Sequence, residues 1–380
     1  METQEEKLQS LVAQIGKPFE EVMAQTRHRQ DYLVKPPGSL GRLEDISAKV
    51  AGITGKVKTP ISKFAIAVMC ADNGVVEEGV ASAPQSVTLA QTINFTRRLT
   101  GVGTMAKHFN IPLLVIDVGV AMPIPDALYT ENMIGEDGRI PTKIVNRRLA
   151  DGTCNLARKP AMPREDAVKA ILIGIEAAKA IKDSGADAFG IGEMGIGNTT
   201  SSSSVLCALT RIPAEDAVGR GGGLKDEGLK KKVAIVREAS KRCIEEGYDV
   251  LDILANVGGY DICAMTGAFL GAGIYRLPVV VDGVISIVAA LAAKAVSPNI
   301  TDFMFASHKS KEPGYEAAMN ALGLYPLFDL RMRLGEGSGC PIAFNILETA
   351  SSIICEMATF EEGEINDDYM TEIREKNLFN

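Results

Sequence analysis

Histidine is scarce in this chain. Three stand among 380 residues, at positions 28, 108 and 308, and so scattered they argue against a His-rich metal site. The seven cysteines, at 70, 154, 207, 243, 263, 340 and 355, form no CxxC pair. Most lie inside apolar runs, as buried free thiols of a reducing compartment do. Basic residues are in the minority, 40 Lys and Arg against 48 Asp and Glu, for a net charge of −8. That balance argues against nucleic acid or an anionic membrane as the main partner. No apolar run is both long and free of charge. The longest, Leu277–Val296, contains Asp282 and Lys294 and reads as a buried strand followed by a core helix. The opening residues, METQEEKLQS, lack the apolar core of a signal peptide, and the expected location is the cytoplasm. No internal repeat stands out, and the serine run Ser201–Ser204 is too short for a linker.

What is present is an ordinary globular composition, 46% hydrophobic and 23% charged. A chain of this length buries roughly three-quarters of the surface its unfolded form exposes, so it needs no staples. Near-continuous apolar runs predict strands at Lys63–Cys70, Pro112–Val120, Ala186–Gly192, Leu277–Asp282 and Thr301–Ala306. Such runs suit parallel strands covered on both faces. Between them, helical patterns cover Pro163–Asp183, Lys225–Glu246, Gly259–Gly271 and Ser286–Lys294. The alternation predicts an α/β fold: a three-layer, mostly parallel Rossmann-like sheet with helices on both faces. Its active site belongs beyond the carboxyl ends of the strands. The segment Ala121–Asn146 has mixed polarity and reads as an irregular excursion. Both chain ends read as helical, with the first 55 residues broken by Lys35-Pro36-Pro37-Gly38-Ser39-Leu40-Gly41. Prolines there forbid helix, and the glycines permit a tight loop that a phosphate could approach. Residues 1–55 and 326–380 are expected to form a small helical subdomain beside a large domain at 56–325.

Three glycine-rich turns could carry chemistry. Gly190-Ile-Gly192-Glu193-Met-Gly195 matches GxGxxG, with Glu215 and Asp216 about twenty residues on. Glu193 inside that loop would repel a pyrophosphate, so a dinucleotide site is disfavoured. Gly195-Ile-Gly197-Asn198-Thr199-Thr200 suits one phosphate at a helix N-terminus, or an ordinary N-cap equally well. Gly219-Arg-Gly221-Gly-Gly-Leu-Lys225 lacks the GK[ST] of a P-loop. Lys232 beyond it could reach a phosphate, although the run Lys230–Lys232 locally favours a solvated helix face. Leu334-Gly-Glu336-Gly-Ser338-Gly339 sets one carboxylate among three glycines, without the spacing of a nucleophile elbow. Glu336 is either a solvated loop residue or a general base of raised pKa. Asp72-Asn73-Gly74 is most simply a turn, with a ribose contact as the alternative.

These residues belong to a recognisable set. Lys35–Glu44, Ala71–Val75, Gly192–Thr200, Asp282-Gly283, Ser307-His308 through Gly314, and Arg333–Gly339 occur together and in order. From about residue 10 to about residue 355 the chain resembles the nicotinate-nucleotide:dimethylbenzimidazole phosphoribosyltransferases of cobamide biosynthesis. The resemblance implies transfer of phosphoribose from nicotinate mononucleotide to an aromatic lower-ligand base, releasing nicotinate and forming an α-ribotide 5′-phosphate. It implies no cofactor and no metal. It places the catalytic carboxylate at Glu336 and a second acid at Glu193. Phosphate and nucleotide contacts fall at Gly195, Gly197, Asn198, Thr199, Gly221, Lys232 and Ser310. The acceptor pocket falls at Ala83, Gln91, Met194 and Leu334. Two departures touch the acceptor half: Ala83 replaces an expected serine, with Ser82 adjacent, and Asn73 replaces a common histidine. A phenolic acceptor, with a homologous partner subunit in place of a second copy, is therefore the alternative to a benzimidazole and a homodimer. A non-catalytic partner subunit is a further alternative, one that could dispense with Glu336.

Overall fold

The computed structural model describes residues 2–376. The chain opens with helices α1 (Gln4–Val12), α2 (Glu20–Asp31) and α3 (Arg42–Thr54), then enters the sheet at β1 (Phe64–Ala71). Helices α4 (Ser86–Thr96) and α5 (Gly101–His108) lead to β2 (Leu113–Gly119), β3 (Tyr129–Thr130) and β4 (Ile144–Asn146). Then come α6 (Arg164–Asp183), β5 (Ala188–Met194), α7 (Asn198–Thr210), α8 (Ala214–Ala217), α9 (Asp226–Glu245), α10 (Val250–Val257) and α11 (Tyr260–Ile274). The chain continues through β6 (Val279–Val281), α12 (Val284–Val296), β7 (Met304–Ala306) and α13 (Tyr315–Leu322). It closes on α14 (Cys340–Glu356) and α15 (Thr371–Glu375).

All seven strands pair in parallel, in the order β3-β4-β2-β1-β5-β6-β7. This is the three-layer α/β fold that the apolar runs predict. The central strands β1 and β5 carry FAIAVMCA and AFGIGEM and are almost wholly buried, as strands covered on both faces must be. On one face Gly190 and Gly192 of β5 turn toward α14 and the loop before it. On the other, Tyr260 of α11 packs against Gly119 of β2. At the chain ends α3 packs on α14 and α2 on α3, while α1 rests on α6. Beyond α14, the Phe360 N–H donates to the Tyr32 carbonyl, and Arg374 lies over the rings of Tyr32 and Phe360.

Two stretches differ from expectation. The excursion at 121–146 contributes β3 and β4, which extend the sheet at its edge. They are two and three residues long, too short for alternation to show. The run 301–306 is half strand, because Pro298–Phe303 forms a 3₁₀ turn before β7.

Helices α6 and α11 approach through glycine. A Cβ on Gly174 would lie 1.8 Å from the Ala264 carbonyl oxygen, and one on Gly267 would lie 1.8 Å from that of Ile171. Both obstacles are backbone, so the helices must separate to admit a methyl group. Gly174→Ala should cost about 1–3 kcal/mol, read as a lower urea midpoint. An unchanged midpoint would contradict this packing.

Candidate active site

The carboxyl ends of β5, β6 and β7 open on a cavity of about 350 Å³. Such a volume suits a small-molecule ligand. One wall is the turn from β5 into α7. Gly195 there admits no side chain, since a Cβ would meet the Ala71 carbonyl oxygen at 2.2 Å, and Gly197 adopts φ +96° before the helix starts at Asn198. The GxGxxG match is coincidental in this setting. Gly190 and Gly192 lie inside β5, where a Cβ would collide with Cys340 and with the Glu336 carbonyl oxygen. They are small so that the loop bearing Glu336 can lie on the strand.

That loop is held by acids. The Glu336 N–H donates to Oε1 of Glu193 at 3.1 Å. The Gly337 and Gly339 N–H groups donate to the two carboxylate oxygens of Asp282, at 3.0 and 2.7 Å. Glu336 itself has φ +63°, a left-handed conformation that a non-glycine residue adopts only when its surroundings impose it. Its Oε2 accepts the Val102 N–H at the start of α5, 3.0 Å away. Burial raises the Glu336 pKa, opposed by the backbone donors of α5. The expected alternative of a solvated loop residue is therefore wrong, because Glu336 is 7% exposed.

Glu193 is linked onward. The Asn198 amide nitrogen donates to Oε2 of Glu193 at 2.6 Å and to Oδ2 of Asp261 at 2.9 Å. Burial pushes Glu193, Asp261 and Asp282 each up to about 7, against hydrogen bonds that pull them down. The Asn198 side chain is thereby committed to two carboxylates. A phosphate contact at Asn198 is therefore left to its backbone N–H at the start of α7.

Lys232 is not on a solvated face. It is 1% exposed, and its Nζ donates to the Thr199 hydroxyl at 2.8 Å and to the Gly219 carbonyl at 3.1 Å. Burial lowers its pKa to about 8. It joins the two glycine turns from behind, while Gly195, Gly197, Asn198, Thr199, Gly221 and Ser310 line the cavity. Ala83, Gln91, Met194 and Leu334 line it as well. Ser82 lines the cavity beside Ala83, and its Oγ lies 2.7 Å from where a Gly222 Cβ would stand. The loop 35–41 contributes nothing to the cavity lining. Lys35 is paired with Glu44 at 2.9 Å instead. Asp72 and Asn73 are fully buried: Asp72 accepts the Ala121 N–H and Asn73 accepts the Ser201 hydroxyl.

Asp261 is absent from the sequence candidates. Its signal is a lone acid in the apolar start of a helix, Tyr260-Asp261-Ile262-Cys263. Asp282 and His308 figure in the sequence only as parts of motif blocks. Among the described residues no cluster of three or more His, Cys, Asp or Glu side chains is arranged to hold a metal ion, and no helix is long and apolar enough to cross a membrane.

Fold and cavity together define a phosphoribosyltransferase, and a family model described by that word matches residues 15–365. The chain belongs to the nicotinate-nucleotide–dimethylbenzimidazole phosphoribosyltransferase family. It is 47% identical over 359 residues to the protein of that name from Clostridium perfringens, covering 94% of this chain and 95% of the relative. The Clostridium tetani protein is 42% identical over 370 residues, covering 97% and 98%. The crystal structure of CobT from Thermus thermophilus superposes with a TM-score of 0.84 at 39% identity, covering 91% of this chain and 99% of that one.

The buried acids carry a pH signature. A carboxyl whose folded pKa lies near 7 binds its proton more tightly folded than unfolded, where Asp titrates at about 3.9. Its contribution to stability is full below that unfolded value and is lost as pH rises through 7. Asp261→Asn keeps an acceptor for Asn198 and removes the charge. Its stability relative to the unsubstituted protein should therefore rise between pH 5 and pH 8, measured by urea denaturation at both. A pH-independent difference would mean that Asp261 is ionised throughout.

Proposed function

We propose that the chain transfers the phosphoribosyl group of nicotinate mononucleotide to dimethylbenzimidazole or a similar lower-ligand base. The observation that carries this reading is the placement of Glu336. It is a buried carboxylate on a loop pinned by Glu193 and Asp282, in the same cavity as the α7 turn.

In this reading the donor's 5′-phosphate rests on Gly195, Gly197 and Thr199 at the α7 N-terminus, with Gly221 and Ser310 beside it. Backbone N–H groups and the helix dipole favour an anion there, and Lys232 supplies positive charge through its contact with Thr199. The acceptor lies against Ala83, Met194 and Leu334, with Gln91 as a polar end. This wall is mostly apolar and suits a flat aromatic ring. Glu336 accepts the acceptor's N–H proton as the other ring nitrogen bonds to C1′. The C1′–nitrogen bond to nicotinate breaks, and its electron pair neutralises the pyridinium. Attack and departure on opposite faces of the ribose convert a β-nucleotide into an α-ribotide. Positive charge that develops on the sugar is stabilised by the carboxylates of Glu193 and Glu336.

The same reading includes work in the cytoplasm and self-association. Seven free cysteines support a reducing compartment. Leu334, exposed and on the cavity lining, supports a contact with a second copy.

Glu336→Gln should lose about 10²–10⁴ in turnover, or roughly 3–5 kcal/mol. Mononucleotide affinity, measured by equilibrium binding, should change less than about threefold if the acid acts as the base. Near-normal turnover by this variant would overturn the assignment.

A further inference from the structure

Helix α11 carries one charged side chain. Its sequence is YDICAMTGAFLGAGI, and the acid at its second position, Asp261, is fully buried. Burying an acid is costly unless its oxygens are engaged. An acid in the first turn of a helix complements the dipole, yet that asks for no partner outside the helix. Asp261 has one. Its Oδ2 accepts the Asn198 amide nitrogen at 2.9 Å, while Oδ1 finds no hydrogen-bond partner. Two glycines from different parts of the chain keep room for the carboxylate. A Cβ on Gly195 would lie 2.8 Å from Oδ2, and one on Gly259 would lie 2.4 Å from Oδ1.

The contact with Asn198 leads to the reacting groups. An asparagine amide nitrogen has two hydrogens. One serves Asp261, and the other serves Glu193 Oε2 at 2.6 Å. Glu193 Oε1 in turn accepts the Glu336 N–H at 3.1 Å. Asp261 itself lies outside the cavity lining, which includes Glu193, Asn198 and Glu336. Of the two tethers on Glu193, the Glu336 N–H is backbone and the Asn198 amide is a side chain that can turn. Two acceptors on the same side of that amide fix its nitrogen toward them. Without Asp261 one N–H loses its partner, and the amide is free to present its oxygen to Glu193 instead. Asp261 is also well anchored, because α11 is buried from Tyr260 to Gly273.

We propose that Asp261 is a positioning residue for the transfer: through Asn198 it holds the Glu193 carboxylate in place to meet the positive charge that develops on the ribose. The inference rests on the function proposed above. It assigns the one charged group of α11 to the reaction although that group touches neither substrate.

The test reads nicotinate release from nicotinate mononucleotide with dimethylbenzimidazole as the acceptor. Asp261→Ala should lower kcat about tenfold or more and leave both KM values within about threefold. Asp261→Asn, whose side-chain oxygen still accepts from Asn198, should keep kcat within about threefold of the unsubstituted protein. In a Glu193→Gln background, Asp261→Ala should cost less than about threefold, because the carboxylate it positions is already gone. Equal losses in both backgrounds, a loss confined to KM, or an Asn variant as slow as the Ala variant would overturn the proposal. Should Asp261→Ala fail to fold, or Glu193→Gln turn over too slowly to measure, hydrogen exchange in the unsubstituted protein decides. Both side-chain amide protons of Asn198 should exchange at least about tenfold more slowly than those of a free asparagine amide. Free exchange of either proton would refute the bridge and the proposal with it. No nicotinate release by the unsubstituted protein would instead count against the transfer itself.

Discussion

The structure depends on burying acids where backbone N–H groups can hold them. Glu193 at the end of β5 and Asp282 after β6 accept three donors from one loop, the N–H groups of Glu336, Gly337 and Gly339. These bonds span the centre of the sheet and fix a loop whose reactive residue sits in a left-handed conformation. Each carboxylate gives up hydration to be there. That cost appears as pKa values raised toward neutrality, with hydrogen bonds offsetting part of it. The N–H groups that hold the acids belong to the loop of Glu336, so a change at Glu193 or Asp282 acts on Glu336 through its backbone.

Two cations, Arg220 and Arg333, line the cavity among its acids. The starts of α7 and α12, each at the carboxyl end of a strand, also face the cavity, and their dipoles favour negative charge there. Lys232 lies behind that lining, buried against Thr199 and the Gly219 carbonyl instead of standing free in the cleft. The net charge of −8 describes the whole chain, whereas the cavity has the cations Arg220 and Arg333 on its wall.

Much of the framework is legible in the sequence. β1, β2 and β5 are near-continuous apolar runs bounded by turn residues, and a parallel buried strand leaves that trace. β3 and β4 are not legible, since strands of two and three residues at a sheet edge have no period to detect. The GxGxxG match misleads in form: its first two glycines serve contact with Cys340 and the Glu336 loop, a tertiary demand invisible to local reading. The same limit applies to Lys232, whose three-lysine run suggests solvent although its own side chain is almost wholly buried. Asn198 fits an N-cap and anion pattern, yet its amide bridges two carboxylates, 5 and 63 residues away in sequence. The loop 35–41 resembles a ligand loop and instead closes on Glu44. Most of the residues singled out from the sequence line one cavity; long-range pairing decides which groups their side chains meet.

The most direct measurement is the anomeric outcome of a single reaction. The purified chain is mixed with nicotinate mononucleotide and dimethylbenzimidazole, and the products are followed by NMR. The account predicts nicotinate and an α-ribotide 5′-phosphate in equal amounts, and no nicotinate release without the base. A β-ribotide, or nicotinate formed by hydrolysis alone, would contradict it.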